Sequence, residues 1–279
     1  MTPLLFVLLV ALISFVAGML GSLLGLGGGM IVVPALTLLL GIDIRLAIGA
    51  SIISVIATSS GAAAAYVRDH LANLRVAMFL ELGTTSGAIT GAWIAGLLHP
   101  RWLFVLFGSI LGYSALAMLK PRAARSARPH ETATLSRRLR LQSSYFDDAR
   151  GAEVAYEPAR PMLGLGLMYI AGIVSGLLGI GSGALKVPAM DLAMELPIKV
   201  STATSNFMIG VTAAASAGLY FARGQIDPFV AAPVAIGVLS GAFTGSKILS
   251  RLSSRALRVT FVVVLVLVSL QMLVRGIRG

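Results

Sequence analysis

The residues best placed to do chemistry in this 279-residue chain lie in and around two glycine-rich stretches inside apolar sequence. Gly25-Leu26-Gly27-Gly28-Gly29 leads into Met30 to Pro34, and Gly179-Ile180-Gly181-Ser182-Gly183 leads into Ala184 to Pro188. A run of glycines lets the chain leave one helix and start another. A restarting helix presents unpaired N–H groups and the positive end of its dipole, and both favour an anion. Gly27, Gly28, Gly29, Gly181, Ser182 and Gly183 are therefore candidate substrate ligands, against the plainer reading of close helix packing by small residues. Lys186 follows the second break, where a cation inside a hydrophobic segment costs about 2.5–3.5 kcal/mol. It must face an anion, a cavity or a counter-charge such as Asp191 or Glu195, or else snorkel to the interface.

Hydroxyl and amide groups form the next layer. Ser51 and Thr58 recur as Ser205 and Thr212 in a second, similar segment, and Asn206 adds an amide. Ser51, Thr58, Ser205 and Asn206 join the candidate substrate ligands. The competing role is hydrogen bonding within or between helices, which is common for membrane Ser and Thr. Glu81 and Asp191 are ionisable residues in apolar segments and are candidates for proton coupling.

These residues need two equivalent frames to hold them, and the chain supplies both. Pro34 and Pro188 set an offset of 188 − 34 = 154, and that register holds from Gly18/Gly172 to Leu103/Leu257 with 27 identities over 86 positions. Matched glycines, prolines and serines in one register are not a by-product of apolar composition. Each half holds four long apolar segments and one short one. In the first half they are about 3–24, a short 30–40, 46–67, 75–98 and 102–119. In the second they are about 162–178, a short 184–194, 200–222, 229–249 and 257–274. About a dozen helical residues span roughly 18 Å, too little for a bilayer. The short segment either completes a broken crossing or is re-entrant. Gly83, Gly87 and Gly91 line one helix face, as do Gly237, Gly241 and Gly245, and such faces let helices approach closely.

Composition fixes the class. Hydrophobic residues make up 57% of the chain against 12% charged, and mean hydropathy is +0.92, outside soluble usage. Runs such as Thr260 to Val274 lack the alternation of a barrel strand, so the expected fold is an all-α polytopic membrane protein. The first apolar stretch lacks a basic leader and has a mid-chain counterpart, so it is expected to remain as a membrane segment. No cysteine is present and the three histidines have no metal-ligand spacing, so neither a metal nor another cofactor is expected. The formal charge of +11 sits between apolar segments rather than in a nucleic-acid-binding patch, so no nucleic-acid partner is expected.

Three regions result: a first transmembrane repeat over 1–120, a basic linker over 121–160 and a second repeat over 161–279. From Lys120 to Arg160 nine basic residues face five acidic ones, which places this loop in the cytoplasm. Its composition reads as a solvated connector, with a regulatory or anionic-lipid contact as the alternatives. If the short segments cross, the halves are inverted and both termini lie outside; if they are re-entrant, the halves are parallel. Arg251, Arg255 and Arg258, clustered in one short loop, favour inversion.

At this point a resemblance becomes specific. Gly18-Met-Leu-Gly-Ser-Leu-Leu-Gly-Leu-Gly-Gly-Gly and Gly172-Ile-Val-Ser-Gly-Leu-Leu-Gly-Ile-Gly-Ser-Gly, each followed by Val-Pro, resemble the sulfite exporter TauE/SafE family. So do Ala203-Thr-Ser-Asn206 and Tyr220-Phe-Ala-Arg-Gly-Gln-Ile-Asp227. The resemblance implies a multi-pass transporter of the bacterial inner membrane associated with small sulfur anions such as sulfite and organosulfonates. The expected function is secondary export of small anions by alternating access, with an anion channel or, further off, a membrane-embedded enzyme as alternatives. Its expected partners are the anion, the bilayer and a second copy of the chain. No nucleotide-binding loop of the form Gly-x-x-x-x-Gly-Lys-Ser/Thr occurs, and no nucleophile–base pair is evident, so the chain is not expected to be an enzyme.

Overall fold

The computed structural model describes residues 3–24, 28–119, 133–147, 151–249 and 254–278. The first half folds as α1 (Pro3–Leu24), short α2 (Gly29–Pro34), α3 (Ile44–Arg68), α4 (Leu74–Ala95) and α5 (Pro100–Leu119). A linker follows with α6 (Ala133–Arg138) and an antiparallel hairpin of β1 (Ser143–Asp147) and β2 (Ala152–Tyr156). The second half repeats the first as α7 (Pro161–Leu178), short α8 (Gly183–Pro188), α9 (Ile198–Ala222), α10 (Pro228–Leu249) and α11 (Ser254–Arg278). Among the described residues four helices, Pro3–Leu23, Ile44–Arg68, Pro161–Leu178 and Pro228–Ile248, are long and apolar enough to cross a membrane. Large apolar side chains such as Leu8, Leu12, Leu82, Trp93, Ile236, Phe243, Leu267 and Leu270 point outwards, as a lipid-facing surface requires.

The repeat is carried into the finest backbone detail. Both short helices pass into a π-helical turn, Ala35–Leu39 after Pro34 and Ala189–Ala193 after Pro188. Proline lacks the N–H and crowds the preceding turn, and a π-turn accommodates both defects. Tyr66 donates to the Ser22 carbonyl at 2.9 Å, and its counterpart Tyr220 donates to the Gly176 carbonyl at 2.7 Å.

The halves interlock through the glycine faces. A Cβ at Gly83, Gly87 or Gly91 of α4 would strike the carbonyl oxygens of Leu165, Tyr169 or Ile173 on α7. A Cβ at Gly237, Gly241 or Gly245 of α10 would strike those of Ala11, Phe15 or Met19 on α1. Each glycine face therefore packs against the opposite half, and in both pairs the residue numbers rise together, so the paired helices run parallel. At the centre the sense reverses. Gly49 at the start of α3 meets Gln225 beyond the end of α9, while Gly210 of α9 meets Ser59 of α3. Likewise Gly112 of α5 faces Ser269 of α11, and Arg101 donates to the Gly276 carbonyl at 3.0 Å. Helices α3 and α9 are thus antiparallel, as are α5 and α11.

Gly87→Val and Gly241→Val are expected to prevent assembly, because the obstruction is backbone that no rotamer change can clear. Overpacking a core costs typically 1–3 kcal/mol and occasionally more. Membrane-fraction yield and gel-filtration profile check this; a monodisperse valine variant at parent yield would contradict it.

The linker departs from the expected connector. In β1 Tyr145 and Asp147 are buried while Phe146 is exposed, the alternation of a strand lying on a surface. That surface is one end of the helical bundle. Asn73 caps α4 by accepting from the Val76 N–H at 3.1 Å and donates its amide to the Leu141 carbonyl at 2.9 Å and to Tyr156 at 3.1 Å. Burial raises the Tyr156 hydroxyl above its ordinary pKa and keeps it protonated. Lys199, in the first turn of α9, meets Asp147 at 2.8 Å with both side chains buried. All of the linker's basic residues before 133, together with Arg150, Gly27 and Arg251, lie outside the described residues.

Candidate functional site

The two glycine breaks come together at the middle of the bundle. Gly28, ahead of α2, packs on Thr58 in mid-α3 and on Val238 in mid-α10. Gly181, ahead of α8, packs on Val55 of α3 and Ile209 of α9. The second break is built from left-handed residues: Gly179 at φ +64°, Gly181 at φ +73° and Ser182 at φ +55°. A Cβ at Gly179 or Gly181 would be strained by that backbone and would also meet Ile48 or Val55.

The hydroxyls divide by task. Ser51 donates to the Gly179 carbonyl at 2.7 Å, so a helix of the first half holds the break of the second. Gly29 is buried against that same hydroxyl. Thr58 accepts from the Gly28 N–H at 3.1 Å and donates to the Ser54 carbonyl at 2.7 Å. Ser182 turns back to the Gly181 carbonyl at 2.8 Å. Asn206 donates to the Ser22 carbonyl, the group that Tyr66 also reaches, while its Oδ1 has no hydrogen-bond partner among the described residues. Ser205 and Gly183 are buried beside them.

A charged cluster lies between α8, α9 and α4. Lys186, fully buried, donates to the Thr212 hydroxyl at 2.6 Å. Thr212 lies 2.6 Å from Glu81 Oε1 and 3.0 Å from the Met208 carbonyl, so the hydroxyl that accepts from the lysine can donate its one proton to the carboxylate and bridge the two. Thr85 also donates to Glu81 Oε1, at 3.0 Å. Glu81 Oε2 stands 3.9 Å from the ammonium and, among the described residues, is buried without a hydrogen-bond partner. An ammonium carries three N–H donors. Among the described residues this one has a single hydrogen bond and a carboxylate oxygen beyond bonding distance, which leaves it donor capacity for an incoming acceptor.

The repeat explains the layout. Thr58 and Thr212 are counterparts, and each hydroxyl accepts from a nitrogen beside its break. In the first half the donor is the Gly28 N–H; in the second it is the Lys186 side chain, which stands where the first half has Val32. Sequence reasoning named Asp191 and Glu195 as counter-charges because they are near in sequence. Glu81, 105 positions away, is the carboxylate paired with Lys186 by the fold. Asp191 is buried in the π-turn after Pro188, and Glu195 sits partly buried at the following turn with φ +58°. No group of His, Asp and Glu able to hold a metal occurs among the described residues.

A multi-pass, mainly helical protein with duplicated halves, two glycine breaks that meet at mid-bundle and a charged cluster beside the second has the architecture of a membrane transporter. The chain belongs to the sulfite exporter TauE/SafE family, whose model matches residues 10–272. It is 29% identical over 280 residues to the probable membrane transporter protein YunE of Bacillus subtilis, covering 98% of both chains. A probable membrane transporter protein of Xylella fastidiosa is 26% identical, over 87% of this chain and 83% of that one. Another, from Methanocaldococcus jannaschii, is 26% identical over 95% of this chain and 94% of its own. No solved structure matches significantly.

Proposed function

We propose that the protein is a secondary transporter of the bacterial inner membrane that exports small anions such as sulfite or organosulfonates by alternating access. The observation that carries this reading is the buried, under-used ammonium of Lys186, on the short helix that follows the second glycine break and held between α8, α9 and α4. A sulfur oxyanion presents several acceptor oxygens on a compact charge. Lys186 offers charge-assisted donors, and Gly28, Gly29, the loop at Gly181–Gly183, the hydroxyls of Ser51, Thr58 and Ser205, and the Asn206 amide lie where the halves meet, with Gly27 a further candidate from the sequence.

Glu81 is the coupling group in this scheme. It holds the counter-charge to Lys186 when no substrate is bound. An entering anion competes for the ammonium, and a proton on Glu81 removes the like-charge repulsion that would oppose it. Anion and proton then bind together. Asp191 is a second candidate for the same task, being buried on the other side of Pro188.

The halves are read as inverted repeats. Support comes from the antiparallel sense of α3 with α9 and of α5 with α11, the counterparts at the 154-residue offset. Counterparts that cross antiparallel are related by an axis lying in the membrane plane. Both termini then share one face, and the linker occupies the other with Arg68 and Arg75, the cytoplasmic face under the positive-inside rule. A reporter fluorescent only in the cytoplasm, fused after Gly279, is expected to stay dark. A thiol introduced by Ser143→Cys is expected to react with an impermeant reagent in inverted vesicles only. Bright fluorescence, or labelling in intact cells, would overturn this sidedness.

Uptake into proteoliposomes, measured against sulfite, sulfate, thiosulfate and small sulfonates, tests the substrate class. Saturable movement of at least one of them, lost in Lys186→Met, is the expected result. Movement of none would reject the reading.

A further inference from the structure

We propose that the methionine-rich cluster beneath the linker hairpin is the gate of the anion path on the linker face, with the Asp147–Lys199 ion pair as its latch. The inference rests on the transport reading above, but its evidence is separate from the charged site.

Position comes first. A buried apolar cluster runs from Leu141 in the linker through Met168, Met190, Met194, Leu196 and Leu80 to Met208. Its inner end touches the site, because the Met208 carbonyl lies 3.0 Å from the Thr212 hydroxyl that bridges Lys186 and Glu81. Its outer end lies under the hairpin, where Asn73 grips the Leu141 carbonyl and Tyr156. The cluster thus fills the space between this face and the charged cluster of α4, α8 and α9.

Asymmetry is the second observation. A duplicated fold would give its two faces like coverings, and here they differ at matched positions. Four of the chain's 11 methionines sit in this cluster, at 168, 190, 194 and 208; their counterparts at the 154-residue offset are Ser14, Leu36, Leu40 and Ser54. Lys199, buried against Asp147, corresponds to Arg45, which is exposed. The linker thus adds a cover on one face that, among the described residues, has no equivalent on the other.

Chemistry suits the role. Methionine is unbranched and polarisable, so a methionine cluster repacks at small cost where a branched core resists. A buried ion pair contributes little net stability, because desolvation offsets most of its attraction. Opening returns Asp147 and Lys199 to water and recovers that hydration, so the latch can release and reform. Lys199 and Thr212 share helix α9, about 20 Å apart at 1.5 Å per residue. Tilting that rigid helix would move latch and site together.

The chain has no cysteine, so a single thiol reports access cleanly. Ser216→Cys places it on α9 one turn beyond Thr212, behind the cluster as seen from the linker face. In inverted vesicles an impermeant thiol reagent is expected to label this site about tenfold faster when Asp147→Leu and Lys199→Met remove the latch without leaving an unpaired charge. Met190→Leu with Met194→Leu, which installs the other half's residues at conserved volume, is expected to slow labelling severalfold and to fold normally. A latch variant whose linker is cut faster by protease, yet whose thiol labels at the parent rate, would show that the hairpin is only a tether and overturn the proposal. Parent-rate labelling in the leucine pair would equally remove the methionines from the gate. Labelling needs no substrate, so failure of the anion reading would appear in transport and leave this readout intact.

Discussion

Lys186→Met is expected to weaken anion binding ten- to a hundredfold. A hydrogen bond to a charged group contributes about 1.5–3 kcal/mol, and each 1.4 kcal/mol is a factor of ten in affinity. Methionine keeps the length and removes the charge, so packing around α8 changes little. The substitution also strips Glu81 of its counter-charge, and breaking a fully buried ion pair costs about 3–5 kcal/mol. That figure overstates the present case, since the Glu81 side chain is 13% exposed and its Oε2 lies 3.9 Å from the ammonium. Lys186→Met combined with Glu81→Gln restores charge balance and separates the two effects: thermal stability recovers while weak binding persists. Calorimetric titration of the purified variants checks this. Affinity unchanged from the parent would remove Lys186 from the site and leave the glycine loops as the ligands to test.

Glu81→Gln is expected to remove the proton uptake linked to anion binding, so that below neutral pH affinity stays as high as the parent reaches in acid. The sign follows from competition at Lys186. Deprotonated Glu81 opposes the anion, so in the parent anion binding takes up a proton and affinity falls as pH rises. The limiting slope is about tenfold per pH unit for one linked proton. Glutamine has the shape of the protonated acid and no charge to lose. Sulfite titrates in the neutral range, so methanesulfonate, ionised throughout, is the better probe. A pH slope in Glu81→Gln equal to that of the parent would move the coupling to another group, with Asp191→Asn the next variant to measure.

Much of this architecture is legible in the sequence because duplication leaves a register that physics cannot blur. Pro34 and Pro188, Tyr66 and Tyr220, and the two glycine faces occupy equivalent positions in the fold as they do in the chain. What the register does not tell is which helix receives a face. Spacing of four places Gly83, Gly87 and Gly91 on one side of α4, but that they pack on α7 of the other half depends on contacts about 80 residues apart. The same limit hid the partner of Lys186. Local carboxylates at 191 and 195 were the visible choices, and Glu81 reaches the lysine only through the crossing of α4 with α9.

The linker's fold is hidden in its sequence for a different reason. Basic residues dominate its composition, and composition averages away the short alternation at Tyr145, Phe146 and Asp147. Its burial depends on an Asn73 cap and on Lys199, neither of which looks special without the hairpin beside it. Sidedness also rests on loop charge alone, whereas the antiparallel sense of α3 and α9 supplies an argument that no residue count contains.

The central claim is that a carrier moves a small anion past Lys186. Counterflow tests it most directly. Proteoliposomes loaded with unlabelled sulfite and diluted into a trace of labelled sulfite should accumulate label transiently above equilibrium, and Lys186→Met should abolish the overshoot. Label that rises only to equilibrium, with no overshoot in the parent protein, would indicate a channel and contradict alternating access.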